Sequence, residues 1–136
     1  MGEVGEHEKN RASRCFFSSH FRGWVVCSGG TIGTEKVPEP TVADIVFADT
    51  ATPTNQELTA VYDRSCRSCH ALDGTGAPLT GYAPDWTARL NARGGLGALV
   101  VSARKGFKEM PAMGLCNDCS DANFEELISF MMKGQN

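Results

Sequence analysis

Apolar positions recur at helical spacing through the second part of the chain and at no regular spacing through the first. Leu58, Val61 and Tyr62 lie three and four positions apart. They follow Thr54 and Glu57, whose types and spacing match a capping box, so a helix is predicted from there into the Cys66 region. Residues 71–84 carry Gly74, Gly76, Pro78, Gly81 and Pro84 and read as a loop. Asp85 to Asn91 reads as a short helix beyond Pro84. Leu96, Leu99, Val100 and Ala103 share one helical face, with Gly106 as a C-terminal stop. The last helix starts at Ser120 as N-cap, with Asp121, Glu125 and Glu126 near its positive end. Phe124, Leu127, Ile128 and Met131 form its buried stripe, and Gly134 follows it. No strand pattern occurs, so the expected class is all-α: three or four short helices joined by long loops.

Residues 1–52 lack this order. Gly29-Gly30, Pro38, Pro40 and the following Pro53 point to extended or flexible chain. Apolar runs such as Trp24-Val25-Val26-Cys27 fall far short of the roughly 20 residues of a membrane helix. Lys9, Arg11 and Arg14 precede a stretch holding Ser18, Ser19, His20 and Arg22, which is too polar for the apolar part of an export signal. Val46-Phe47-Ala48 resembles a cleavage site, but Glu35, Lys36, Glu39 and Asp44 precede it. The chain therefore divides into 1–52, a flexible or export/extension region, and a domain over 53–136. A domain of about 84 residues with so much loop buries a thin core, and something besides side chains is expected to fill its centre.

Composition narrows the function. The chain has 136 residues, 41% of them hydrophobic, and a net charge of −3. These values exclude a disordered chain and a large multi-domain enzyme, and they give no sign of the basic surface of a nucleic-acid binder. Six cysteines are many for this length and imply stapling, a metal or a cofactor.

Cys66-Arg67-Ser68-Cys69-His70 is C-x-x-C-H, the attachment signature of c-type haem. Two thiols at this spacing can each form a thioether with one vinyl group of the porphyrin. The next residue then lies beneath the ring and offers an imidazole nitrogen to the iron. Cys116-Asn117-Asp118-Cys119 is a second C-x-x-C, and the two pairs together also fit a zinc pattern. Their separation is far longer than the compact knuckle spacing of about 15–20 residues, and zinc leaves His70 unexplained. For a sixth iron ligand the chain offers Met110-Pro111-Ala112-Met113-Gly114. A thioether on a Pro-stiffened loop suits iron and closes it to substrates. Met110 is preferred because Pro111 holds the residue before it extended, and Met113 is the rival. His7 and His20 read as solvated, and Cys15 and Cys27 have no assigned role.

From Tyr62 to Met132 the sequence resembles the bacterial monohaem class I cytochromes c of the cytochrome c5 type. The resemblance rests on Tyr62 and the C-x-x-C-H motif, Gly76-Ala77-Pro78, Asp85-Trp86 with Arg89, Gly106, Met110-Pro111-Ala112-Met113-Gly114, and Cys116-Asn117-Asp118-Cys119-Ser120-Asp121. It implies a small cytochrome c fold of three to five short helices wrapped around one covalent haem c. Cys66 and Cys69 would carry the thioethers, and His70 and Met110 would bind the iron. The Pro78 carbonyl would accept the other imidazole N–H, and Trp86 and Arg89 would lie near a haem propionate. Cys116 and Cys119 would form a disulfide. The family often has Lys where this chain has Met113.

The resemblance implies an electron carrier, not an enzyme. It would exchange single electrons with redox proteins of a respiratory chain, such as a quinol-oxidising complex and a terminal oxidase or reductase. Complexes would be transient, and the protein a monomer without a transmembrane segment or nucleic-acid partner. The alternatives are an open sixth site that senses small ligands or turns over peroxide, and a haem-free zinc or disulfide module. Thioether attachment and a disulfide both belong to an oxidising compartment, so the periplasm is expected.

Overall fold

Capping boxes start two of the helices. Thr41 and Asp44 exchange hydrogen bonds at the head of α1 (Val42–Thr50): the Thr41 N–H donates to the Asp44 carboxylate and the Asp44 N–H to Thr41 Oγ1. Ser120 and Asn123 do the same at the head of α6 (Asp121–Met132). The computed structural model describes residues 36–133. Between α1 and α6 lie α2 (Gln56–Val61), a π-helical segment (Tyr62–Cys66), α3 (Arg67–His70), α4 (Ala83–Arg93), α5 (Leu96–Lys105) and a short 3₁₀ turn (Ala112–Leu115). The run from α2 through α3 is unbroken. The described residues hold no strand beyond one isolated bridge between Phe107 and Met110. The all-α expectation is met.

Three local features differ from the sequence reading. Helix α1 was not predicted. It packs Ala48 into a small cluster with Leu79 and Tyr82, with Val37 and Ile45 against it, so ordered packing reaches upstream of the 52/53 boundary expected from composition. The first helix of the domain is capped by Asn55, whose Oδ1 accepts from the Glu57 N–H, not by a Thr54 box. Helix α4 begins at Ala83 and takes Pro84 into its first turn, where a missing N–H costs nothing because those donors have no intrahelical acceptor. The expected loop thus ends two residues earlier than read. Cys15, Cys27, His7, His20 and Gly134 lie outside the described residues.

The main core joins α2 and the π segment to α4, α5 and α6. Tyr62 is fully buried at its centre, with its ring edge-on to Phe130. Leu99, Val100 and Ala103 of α5 meet Phe124, Leu127 and Ile128 of α6, so both predicted stripes are the buried ones.

Two loops close the structure. Residues 71–82 are tied down by backbone bonds from the Thr80 N–H to the His70 carbonyl and from the Gly81 N–H to the Met131 carbonyl, both 2.7 Å. Tyr62 Oη and Thr80 Oγ1 share a buried hydrogen bond of 2.9 Å. The second loop runs from Gly106 to Cys119. Phe107 and Met110 exchange two backbone hydrogen bonds of 3.0 Å, which turn the chain back sharply. Gly106 sits beneath this turn at φ +82°, and a Cβ there would lie 3.0 Å from both Ala112 N and Met110 O.

Gly106→Ala should therefore destabilise the protein by about 1–3 kcal/mol, the usual cost of forcing a side chain into such backbone. Gly97→Ala, inside α5 and facing open space, should instead stabilise it by about 0.5–1 kcal/mol. Urea midpoints of the two variants, at unchanged m-value, check both signs.

Candidate haem site

The π segment and α3 carry the C-x-x-C-H motif. A π turn admits one more residue per turn than an α turn and often marks a functional position. Here it ends at Cys66. Cys66 and Cys69 are not bonded to each other. Cys69 is exposed, whereas burial pushes the Cys66 thiol up to about 11 despite the nearby Arg64 cation.

His70 is buried, with 7% exposure. Its Nδ1 lies 2.8 Å from the Pro78 carbonyl. A carbonyl can only accept, so Nδ1 carries the proton and Nε2 keeps a free lone pair. Burial holds the imidazole below its ordinary pKa and favours the neutral form that a metal needs; the Pro78 bond opposes this shift and the Arg89 charge adds to it.

An apolar cavity of about 320 Å³ opens beside this imidazole, lined among others by Cys69, Pro78, Trp86, Arg89, Leu99 and Met110. A second space of about 40 Å³ is walled by Ser65, Cys66, His70, Met110 and Leu115. The Ser65 hydroxyl is buried there without a hydrogen-bond partner. An apolar cavity in a small core, two unbonded thiols, a neutral imidazole with a free nitrogen and an orphaned hydroxyl together fit a large planar cofactor held through Cys66, Cys69 and His70.

Met110 and Met113 occupy different places. Met110 lines both spaces, its methyl against the Gly114 Cα, where a Cβ would lie 3.0 Å away. Met113 is partly buried against the main core and is not among the lining residues. Cys116 and Cys119 are joined to each other, with Cα atoms 5.4 Å apart, within the range a disulfide requires. That bond removes both sulfurs as zinc ligands, and no metal-binding cluster of His, Cys, Asp or Glu occurs among the described residues.

Trp86 and Arg89 both line the larger cavity, but their polar atoms are engaged. The indole N–H donates to the Leu79 carbonyl at 2.9 Å while the ring stacks on His70 at 5.8 Å. The Arg89 guanidinium makes two bonds to the Asp85 carboxylate. Trp86 thus serves as a cavity wall and, through its indole N–H, as an anchor for the loop. Sequence reasoning missed Arg64, which bonds both oxygens of Asp118 at 2.9 Å and ties the π segment to the disulfide loop. That hydrogen bond holds the Asp118 carboxyl below the usual carboxylate range. It also missed Arg67, inside the motif itself.

A family model described as cytochrome c oxidase, cbb3-type, subunit III matches residues 53–131. Cytochrome c5 of Ectopseudomonas mendocina is 37% identical over 68 residues, covering 50% of this chain and 78% of that protein. Cytochrome c5 of Azotobacter vinelandii is 35% identical over 71 residues, covering 52% and 86%. Cytochrome c-555 of Prosthecochloris aestuarii is 34% identical over 80 residues, covering 53% and 79%. The family-model match spans the motif, the cavity and the Met110 loop, and the chain belongs to the monohaem class I cytochromes c of the c5 type, a family that carries covalent haem c.

Proposed function

We propose that the protein is a periplasmic one-electron carrier. Cys66 and Cys69 would hold the haem through thioethers, and His70 and Met110 would bind its iron. The observation that carries this reading is the His70 imidazole, fixed through Nδ1 on Pro78 with Nε2 free in the wall of a cavity it shares with Met110. When bound, the haem supplies the redox chemistry, its iron alternating between Fe(III) and Fe(II).

The chain's own residues set the conditions. His70, bonded to a carbonyl, is a stronger donor than a free imidazole. The Met110 thioether, as an iron ligand, would close the site to substrates and raise the potential relative to a harder ligand. Leu99, Ile128 and Met131 keep the cavity apolar, which excludes water and limits the reorganisation that accompanies a change of charge. Partner encounters are expected to be short-lived and small in area, as for electron carriers generally. Residues 53–136, with nine acidic and eight basic residues, are close to neutral and give no strong electrostatic steering. The partners implied by the family are a quinol-oxidising complex and a terminal oxidase or reductase. No helix among the described residues is long and apolar enough to cross a membrane.

Met110→Leu should abolish the Met-linked absorption band and let the reduced protein bind carbon monoxide. Met113→Leu should change neither. A wild-type protein that is high-spin and binds carbon monoxide readily would overturn the assignment in favour of an open sixth site. Haem staining after denaturing electrophoresis, expected positive, tests covalent attachment independently. Replacing Cys116 and Cys119 together by Ser should leave the haem attached but loosen the Met110 loop. The Met-linked band should then fade at a lower temperature than in the wild type, and an unchanged thermal profile would count against a bracing role.

A further inference from the structure

Arg67 lies between the two haem cysteines, yet its side chain turns toward α1. Nη1 donates to the Asp49 carbonyl at 2.6 Å and Nη2 to the Ala51 carbonyl at 3.0 Å. These groups belong to the last turn and C-cap of α1, where carbonyls lack intrahelical donors. Helix α1 has no basic residue in its own last turn, so Arg67 supplies the cation that this end of the helix favours. The guanidinium is itself fixed by Nε on Asp63 at 2.7 Å and lies 5.0 Å from the Tyr62 ring centre.

The helix held in this way rests on the proximal loop. Ala48 is fully buried against Leu79 and Tyr82. The Phe47 ring occupies the place a side chain at Gly81 would need. Tyr82 Oη donates to the Pro38 carbonyl at 2.6 Å, tying down the chain ahead of α1. Leu79 directly follows Pro78, whose carbonyl accepts the His70 Nδ1 proton. Named contacts thus run without a gap from Arg67 through α1 to the imidazole.

We infer that α1, fastened by Arg67, is a brace that keeps the Pro78 carbonyl on His70. Arg67 and Phe47 are then positioning residues for the axial imidazole. The inference rests on the reading of His70 as an iron ligand. Its consequence has a definite sign. The Nδ1–H bond to a carbonyl strengthens the imidazole as a donor and favours Fe(III). Loosening it should raise the reduction potential. Removing a nearby positive charge by itself acts in the opposite sense, because it also favours Fe(III).

The test uses the full haem-loaded chain with Phe47→Ala, Arg67→Ala and Arg67→Lys. Midpoint potential, exchange of the His70 Nδ1 proton and melting temperature are measured for each. All three variants should show faster proton exchange, and the charge-conserving Phe47→Ala and Arg67→Lys should show a higher potential. Phe47→Ala changes no charge, and Arg67→Lys keeps the charge but loses the fork. If Phe47→Ala does not retain haem, Phe47→Leu should give a smaller shift of the same sign. Variants that melt earlier with unchanged potential and exchange would overturn the brace, as would a fall in potential for Phe47→Ala or Arg67→Lys, which keep the charge. A wild-type chain without covalent haem would fail the functional reading and the brace together. A haem-loaded wild type whose variants do not shift would fail the brace alone.

Discussion

At 2.8 Å, the bond from His70 Nδ1 to the Pro78 carbonyl fixes a buried imidazole in one tautomer and one orientation. Everything near it serves that constraint. A carbonyl in a surface loop cannot hold a ring steady unless the loop is itself immobile. The loop is secured at successive residues: Leu79 by the Trp86 indole, Thr80 by the His70 backbone and the Tyr62 hydroxyl, Gly81 by the Met131 carbonyl. Tyr62 is the most buried aromatic side chain among the described residues, and its hydroxyl is used for this purpose. The bonds are short and buried, where a lost partner costs more than the bond's net worth in water. The loop is therefore as well determined as the helices on either side.

The opposite wall is built by other means. The Met110 loop has few side chains in the main core and relies on turn hydrogen bonds, the Gly106 cradle and the Cys116–Cys119 bond. A three-residue spacing closes too small a ring to remove much chain entropy, so the bond acts as a local clamp. The Arg64–Asp118 pair that ties this loop to the π segment is largely exposed, and such pairs contribute little stability. The two sides of the cavity thus differ in kind: one is held by buried hydrogen bonds, the other by covalent and backbone geometry.

The parts of this arrangement legible in the sequence are those encoded locally. The C-x-x-C-H spacing, the stripe of α6 and its Ser120 cap depend only on near neighbours. The spacing of Thr41 and Asp44 was equally local, but the Pro- and Gly-rich surroundings hid it. The π segment over Tyr62–Cys66 has no sequence signature, and its sequence reads as a continuation of the α-helix. The competition between Thr54 and Asn55 for the cap is between two adequate residues and is decided by backbone geometry. The engagement of the Trp86 indole by Leu79, of Arg64 by Asp118 and of Arg67 by α1 joins residues distant in sequence. No single-chain pattern marks such pairs. The resemblance to the c5 cytochromes pointed to the Pro78 carbonyl and the Cys116–Cys119 pair, which spacing alone did not reach.

Three residues other than glycine adopt left-handed backbone among the described positions: Lys108, Met113 and Leu115, with φ of 53°, 63° and 65°. All three lie between α5 and α6. Each such residue costs about 1–2 kcal/mol relative to ordinary backbone. That energy is released whenever the segment opens, so the free energy of opening this segment alone is smaller than its contacts would give. Local opening of this segment, with the helices still packed, is expected to cost less than global unfolding. The strained backbone of the fold is thus gathered into the one segment that carries Met110, apart from the buried hydrogen bonds that hold His70.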